Sequence, residues 1–158
     1  MTSVTASTVD VTPTSLRSQL ARWPTGVTII TACGDGRPLG KTANSFHAAS
    51  LDPALVGWCI DKRSSRFDEW VAVTGYAVHV MAGHQTDLVT RFAASGSDRF
   101  DGLDTMPGLD GIPLLACDVP LRLECRIADT FDVGDHVYLI GQVVTMTASH
   151  HTPMTIQR

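Results

Sequence analysis

No run of apolar residues in this 158-residue chain approaches the roughly 18 that a membrane-spanning helix needs. The first fifteen residues, MTSVTASTVDVTPTS, have neither the basic start nor the apolar stretch of a secretory signal. Residues 1–14 read as a disordered Ser/Thr/Val-rich tail. Positive charge is also scarce, 12 Lys and Arg against 16 Asp and Glu, a net charge of −4. That balance argues against a nucleic-acid surface or an anionic membrane as partner. The four cysteines, Cys33, Cys59, Cys117 and Cys125, contain no C-x-x-C pair, so the paired spacing of a zinc site is missing. Cys59 and Cys125 fall in apolar, strand-like runs, where a thiol acts as a small hydrophobe. With no signal, these thiols are expected to be reduced and the protein cytoplasmic. No G-x-S-x-G elbow is present, and no Cys, His or Asp spacing selects a hydrolytic triad. Nor does any spacing of carboxylates argue for a glycosidase pair. The one glycine cluster, GDGRPLG, lacks the dinucleotide-binding spacing and has no helix after it.

The remainder, residues 15–158, reads as one globular domain, 44% apolar and 18% charged over the whole chain. Thr14 or Ser15 is placed to cap a short helix whose apolar face is Leu16, Leu20 and Trp23, ended by Pro24. Residues 26–32 (GVTIITA) are β-branched and predict a strand; Gly34-Asp35-Gly36 predicts a hairpin turn into a second strand over 38–45. Residues 54–60 predict a strand buried on both faces. Ser64 and Ser65 are placed to open a helix carrying Phe67, Trp70 and Val71, closed by Gly75. A strand over 76–81, a short helix over 85–94 and a turn-rich excursion over 95–118 follow. In 121–127, Leu121, Leu123, Cys125 and Ile127 alternate with Arg122, Glu124 and Arg126, the period of a strand with one wet face. Residues 137–147 predict a longer, more apolar strand, reached through a tight turn at 133–136. About six strands with few short helices imply a mainly β fold, an antiparallel barrel with helical insertions.

Residues 41–52, KTANSFHAASLD, carry the most chemical information. Thr42, Asn44, Ser45 and Ser50 alternate with Ala43, Ala48 and Ala49, so side chains stay short. A flat heteroaromatic ring could approach such a backbone and bond its N–H groups and hydroxyls. The next candidate is DKRSSRF, residues 61–67, which offers Ser64 and Ser65 among Lys62, Arg63 and Arg66, the donors and cations of a phosphate site. Together the two segments could hold the ring and the phosphate of one ligand. His136, after Gly134-Asp135, is placed either to meet a nicotinamide amide or diphosphate or to satisfy a turn. His47 could face the ligand or the opposite side, and His79 reads as structural. Arg91-Phe92 and Asp98-Arg99-Phe100 either anchor a helix and a loop or line the ligand pocket. His150 and His151 have no third ligand, so no metal site is predicted.

Taken in order, W-P-T-G-V-T-I-I-T (23–31), T-A-N-S-F (42–46), S-L-D-P (50–53), the strand ending at Cys59, the R-F-A and D-R-F pairs and G-D-H (134–136) resemble the short-chain flavin reductases of two-component monooxygenases. The resemblance covers about Leu16 to Thr147. It implies an FMN-binding split barrel of antiparallel Greek-key type, assembled as a homodimer with flavin near the subunit interface. It implies an NAD(P)H-dependent flavin reductase of the EC 1.5.1 type. Hydride would pass from nicotinamide C4 of NADH or NADPH to N5 of FMN or FAD, and reduced flavin would diffuse to a separate monooxygenase. Thr42, Ala43, Asn44, Ser45 and Ser50 would bind the flavin ring and Ser64, Ser65 and Arg66 its phosphate. His136 would lie near the nicotinamide as the catalytic residue, and Arg91 and Phe100 would line the site. Lys41 departs from the family, which usually has a small or apolar residue there. The segment after Thr147 also departs from the family's aromatic- and arginine-containing tail. A non-enzymatic flavin carrier or sensor is the second reading, and a pyridoxamine-phosphate-oxidase-like barrel for another ring or haem is the third.

Overall fold

Two glycine-containing turns organise the chain. In the computed structural model, which describes residues 6–96 and 99–157, Asp35 and Gly36 both have positive φ, 48° and 72°. That is the two-residue type I′ geometry whose twist matches a strand pair. It joins β2 (Thr28–Gly34) to β3 (Arg37–Ala43) in the hairpin the sequence predicts. Gly134, at φ 63°, likewise turns β9 (Leu121–Val133) into β10 (His136–Ala148). Both strands of that second hairpin run to 13 residues, beyond the spans expected.

The other main strands are β4 (His47–Leu51), β5 (Ala54–Asp61) and β6 (Gly75–Val80). All pair antiparallel in one seven-stranded sheet of order β3-β2-β6-β9-β10-β5-β4. Flat, that sheet would hold its edge strands about 29 Å apart at ~4.8 Å per strand. Yet β3 and β4 are consecutive, joined only by residues 44–46. Four Cα steps reach about 15 Å at most, so the sheet must curl into a barrel. Short elements complete the chain: β1 (Thr25–Gly26) on β11 (Thr155–Ile156), and β7 (Thr105–Pro107) on β8 (Pro113–Leu115) within the expected excursion. The mainly antiparallel β reading therefore holds. No helix among the described residues is long and apolar enough to cross a membrane.

Inside the barrel Trp58 meets Trp70 and Tyr76 edge-on, at 5.3 and 6.1 Å between ring centroids. Ile30, Leu39, Val56, Ile60, Val78, Leu123 and Leu139 fill the space around them. On the outer face, α3 (Thr86–Ala93) packs Phe92 against Ile29, Met81, Leu115 and Val119. Gly40 permits this, since a Cβ there would stand 2.3 Å from the Phe92 ring. The strand buried on both faces is thus β2 rather than β5. In β5, Val56, Trp58 and Ile60 face inward, while Leu55 and Cys59 stay half-buried.

Two helix expectations are corrected. α1 spans Pro13–Leu20, capped by Thr12, whose hydroxyl accepts from the Ser15 N–H at 3.1 Å. Pro13 at the first turn favours that start over Thr14 or Ser15. The expected apolar stripe stays largely uncovered among the described residues: Leu16 and Leu20 are 50 and 60% exposed, and Trp23, past the helix end, is 72% exposed. α2 (Phe67–Ala72) begins after Arg66, and Gly75 opens β6 instead of closing the helix. The first five residues of the expected tail, Asp98 and Arg158 lie outside the described residues.

His79 is structural, as read. Its Nδ1–H donates to the Ile29 carbonyl at 3.1 Å and its Nε2 accepts from the Leu115 N–H at 3.2 Å. Both nitrogens are committed to the neutral ring. Burial, aided by the Arg122 charge, pushes its pKa down to about 4. The unfolded chain protonates this histidine below about pH 6.5 and the folded chain only near 4, so stability falls as pH drops through that window. The loss reaches on the order of 3 kcal/mol once both states are titrated. Denaturant unfolding at pH 7.5 and 4.5 should show a larger acid loss for the wild type than for His79→Gln, which keeps a donor and an acceptor but no titrating ring. Equal losses would remove His79 as the cause.

Candidate functional site

β5 runs out at Asp61 into a loop, residues 62–66, that is tied on both sides. Toward the β9–β10 turn, the Lys62 N–H donates to the Asp135 carbonyl at 3.0 Å, and its ammonium reaches the Gly134 carbonyl at 2.8 Å and the Asp132 carboxylate. Toward β3, the Lys41 ammonium donates to Ser64 Oγ at 3.1 Å, and Arg66 Nη1 donates to the Pro38 carbonyl at 2.8 Å. Within the loop, the Arg63 guanidinium and N–H hold Asp61 well below the usual carboxylate range. Arg66 adopts φ 59° and forks onto Glu69 with two 2.6 Å bonds, which keep that carboxylate ionised. Arg66 thus spends its side chain on the scaffold. The left-handed turn at Arg66 delays the helix, so Ser64 and Ser65 lie in the loop and cap nothing. Ser65 is exposed, and its hydroxyl bonds no described residue.

The closing segment between β3 and β4 divides its polar groups. Thr42 Oγ1 donates to the Val89 carbonyl on α3 at 2.7 Å, and Thr28 Oγ1 donates to the Ala43 carbonyl at 2.8 Å. Ala43 itself is buried. Ser45 Oγ accepts from the Cys59 N–H at 3.0 Å and donates to the Cys59 carbonyl at 3.4 Å. Two residues beyond the His47–Gly57 pair, this hydroxyl takes the place of a ladder partner. By contrast, the Asn44 amide and the backbone N–H groups of Asn44 and Ser45 donate to no described residue. Ser50 is half-buried at the register shift in β4, its hydroxyl also unbonded among the described residues.

The two expected arginines separate as well. Arg91 donates inward to the Arg99 carbonyl at 2.7 Å and to the Asp101 carbonyl, so it anchors the loop. Arg99 is the one that reaches the site. It donates to the Gly40 carbonyl at 2.6 Å and to the Ala94 carbonyl at 2.7 Å, and with Phe100, Ser65 and Arg66 it lines a cleft beside β3. Phe100 stands edge-on to Phe92 at 5.1 Å. On β3, Lys41 is half-buried, and burial followed by the Arg99 charge lowers its pKa against the opposing Asp61 charge. The cleft holds about 20 Å³, room for a water or two.

His136 pairs across the ladder with Asp61 and fixes its Nδ1 on the Asp135 carboxylate at 2.7 Å, leaving Nε2 unbonded among the described residues. His47 and Tyr138 stack at 5.4 Å with hydroxyl and Nε2 2.9 Å apart, while His47 Nδ1–H donates to the Ser45 carbonyl at 2.9 Å. The stack needs Gly57, where a Cβ would stand 2.2 Å from the Tyr138 hydroxyl. Burial raises the thiol pKa of Cys59 and Cys117 and pushes Cys125 up to about 12, so none of these is an activated nucleophile. Among the described residues no group of His, Cys, Asp and Glu could hold a metal ion.

Sequence spacing pointed to Arg99 as a candidate pocket residue but not to Tyr138 as a neighbour of His47, nor to Lys41 as the partner of Ser64. The readable signals were a lysine among the small residues that end β3 and a glycine at 57 in an apolar strand.

Gly57→Ala should push the Tyr138 ring off His47 and release the Ser45 carbonyl. We expect a loss of about 1–3 kcal/mol in unfolding free energy, measured by denaturant titration, while a change under 0.5 kcal/mol would mean the stack adapts.

Residues 20–157 match the flavin reductase like domain. The FMN reductase (NADH) SmoA of Agrobacterium fabrum is 40% identical over 130 residues, 82% of this chain and 74% of that protein. The reductase component of the flavin-dependent trigonelline monooxygenase of Acinetobacter baylyi is 38% identical over 135 residues, 85% of this chain and 43% of that protein. This chain thus spans less than half of that relative, as it does of a probable flavin reductase of Rhizobium meliloti. In three dimensions, the Streptomyces globisporus NADH:FAD oxidoreductase SgcE6, solved in complex with NAD and FAD fragments, matches with a TM-score of 0.88 at 35% identity, over 96% of this chain and 93% of that one. Agreement over nearly the whole length, in sequence and in fold alike, means that this chain belongs to the flavin reductase-like domain family.

Proposed function

We propose that this protein is an NAD(P)H-dependent flavin reductase that supplies reduced flavin to a separate monooxygenase. The observation that carries the reading is the set of free donors on the barrel-closing segment. The Asn44 amide and the N–H groups of Asn44 and Ser45 meet no acceptor among the described residues, at the place where the side chains are short. They suit the acceptor edge of a flat ring. Ser64 and Ser65, one loop away, suit its phosphate. The relatives' names, an NADH-dependent FMN reductase and a monooxygenase reductase component, support the same reading.

Bound together, reduced nicotinamide and oxidised flavin supply the hydride donor and acceptor. The chain's part is to hold and orient them. Asn44 and the adjoining N–H groups bond the ring edge and favour negative charge there. His136, its Nδ1 held by Asp135, presents Nε2 to the nicotinamide amide. Asp61 stays ionised beside Arg63 and Cys59 stays protonated through burial, so neither group competes for a proton at the site.

The cleft of about 20 Å³ is far too small for the ring, which must lie on the open surface beside it. The family resemblance implies a second copy over that surface. Leu51, 91% exposed at the end of β4, and Met146, 71% exposed on β10, are apolar side chains without a partner in this chain among the described residues. We therefore propose a homodimer with flavin at its interface.

NADH oxidation followed at 340 nm in air should require added flavin and saturate in both substrates. Asn44→Ala should weaken flavin binding roughly tenfold, and His136→Ala should raise the KM for NADH several-fold with flavin affinity unchanged. Turnover without flavin, or full flavin affinity in Asn44→Ala, would refute the site. In sedimentation the wild type should run as a dimer and Leu51→Asp as a monomer; a monomeric wild type would remove the interface.

A further inference from the structure

Not all the cations around the 62–66 loop are alike. Arg63 is neutralised by Asp61 and Arg66 by Glu69, each through charged hydrogen bonds under 3.0 Å. Lys41 and Arg99 are not: among the described residues neither forms an ion pair. Arg99 is bound to the Gly40 and Ala94 carbonyls, which orient the guanidinium without cancelling its charge. Lys41 offers three donors and spends one, on Ser64. Two partly buried cations with no ion-pair partner among the described residues are an unfavourable arrangement for the empty protein. A bound dianion would relieve it. The neighbouring donors, the free Ser65 hydroxyl and the Ser64 hydroxyl held by Lys41, are those of an oxyanion seat.

Resting on the flavin reading above, we propose that Lys41, with Arg99 beside it, selects the terminal phosphate of FMN over the diphosphate of FAD and over riboflavin. A phosphate monoester carries close to two negative charges at pH 7, whereas each phosphate of a diester-linked diphosphate carries one. Two cations flanking the Ser64-Ser65 pair, Lys41 on Ser64 and Arg99 in the cleft with Ser65, and unpaired among the described residues, match the monoester. The 2′-phosphate of NADPH has the same chemistry, and the proposal commits to FMN as its source.

The test is a fluorescence-quenching titration of wild type, Lys41→Met and Lys41→Arg with riboflavin, FMN and FAD, repeated with inorganic phosphate as competitor. Wild type should bind FMN at least tenfold more tightly than riboflavin or FAD, and phosphate should displace FMN but not riboflavin. Lys41→Met should lose most of the FMN advantage and keep its riboflavin affinity, which also reports that it has folded. Lys41→Arg should retain most of it. An unchanged FMN-to-riboflavin ratio in Lys41→Met, or equal affinity of the wild type for FAD and FMN, overturns the proposal. So does an unchanged ratio joined to a lost preference for NADPH over NADH, which would assign the seat to the ribose phosphate. A wild type that binds no flavin, riboflavin included, fails the flavin reading itself, a separate outcome from failure of Lys41.

Discussion

The tether of three residues between the two edge strands governs the rest of the structure. Residues 44–46 are too short to span a flat seven-stranded sheet, so the sheet must curl until the joined ends of β3 and β4 lie within about 15 Å. That approach leaves the two edges unpaired as a ladder. It is secured by the Ser45 hydroxyl, which takes both ladder bonds of Cys59, and by Phe46, packed against the core. Because a side chain does this work, the backbone N–H groups of Asn44 and Ser45 remain outside the ladder. The same segment therefore closes the barrel and offers donors to a ligand.

The loop after β5 is placed by a similar economy. Lys62 fastens it to the β9–β10 turn, while Lys41 and Arg66 fasten it to β3. Carboxylates are spent where charge must be cancelled for structure, on Arg63 and Arg66. Among the described residues none pairs with Lys41, which holds Ser64, or with Arg99 in the cleft. The difference between a scaffold cation and a ligand-facing one is thus the presence of a counter-ion, a property that residue type alone does not carry.

Close packing around the site depends on two glycines in strands. Gly40 lets the Phe92 and Phe100 rings lie against β3, and Gly57 lets Tyr138 lie across β5 to reach His47. Through His47 Nδ1 and the Ser45 carbonyl, that second contact leads back to the closing segment. Apolar side chains that the barrel leaves uncovered, from Trp23 and Leu51 to Met146, show that one chain does not bury all the surface its pattern marks as apolar.

Local chemistry in the sequence determined the strands and their turns. Asp35-Gly36 and Gly134-Asp135 are legible because positive φ favours those residue types, and the alternation over 121–127 because side chains on a strand point to opposite faces every second residue. The family resemblance was legible as well, since its motifs are contiguous. Only the tertiary structure decided which polar groups remain free. Thr42 is spent on Val89, 47 residues away, and Lys41 on Ser64, 23 away, while Arg99 reaches Gly40 across 59 positions and Arg91 turns inward. The spacing of Leu16, Leu20 and Trp23 suggests one helix face, but the helix ends at Leu20 and none of the three is buried, because periodicity marks a face and not its length or partner. Spacing along a chain sets which side chains share a strand or helix face; it does not set which donors meet an acceptor once the sheet has curled.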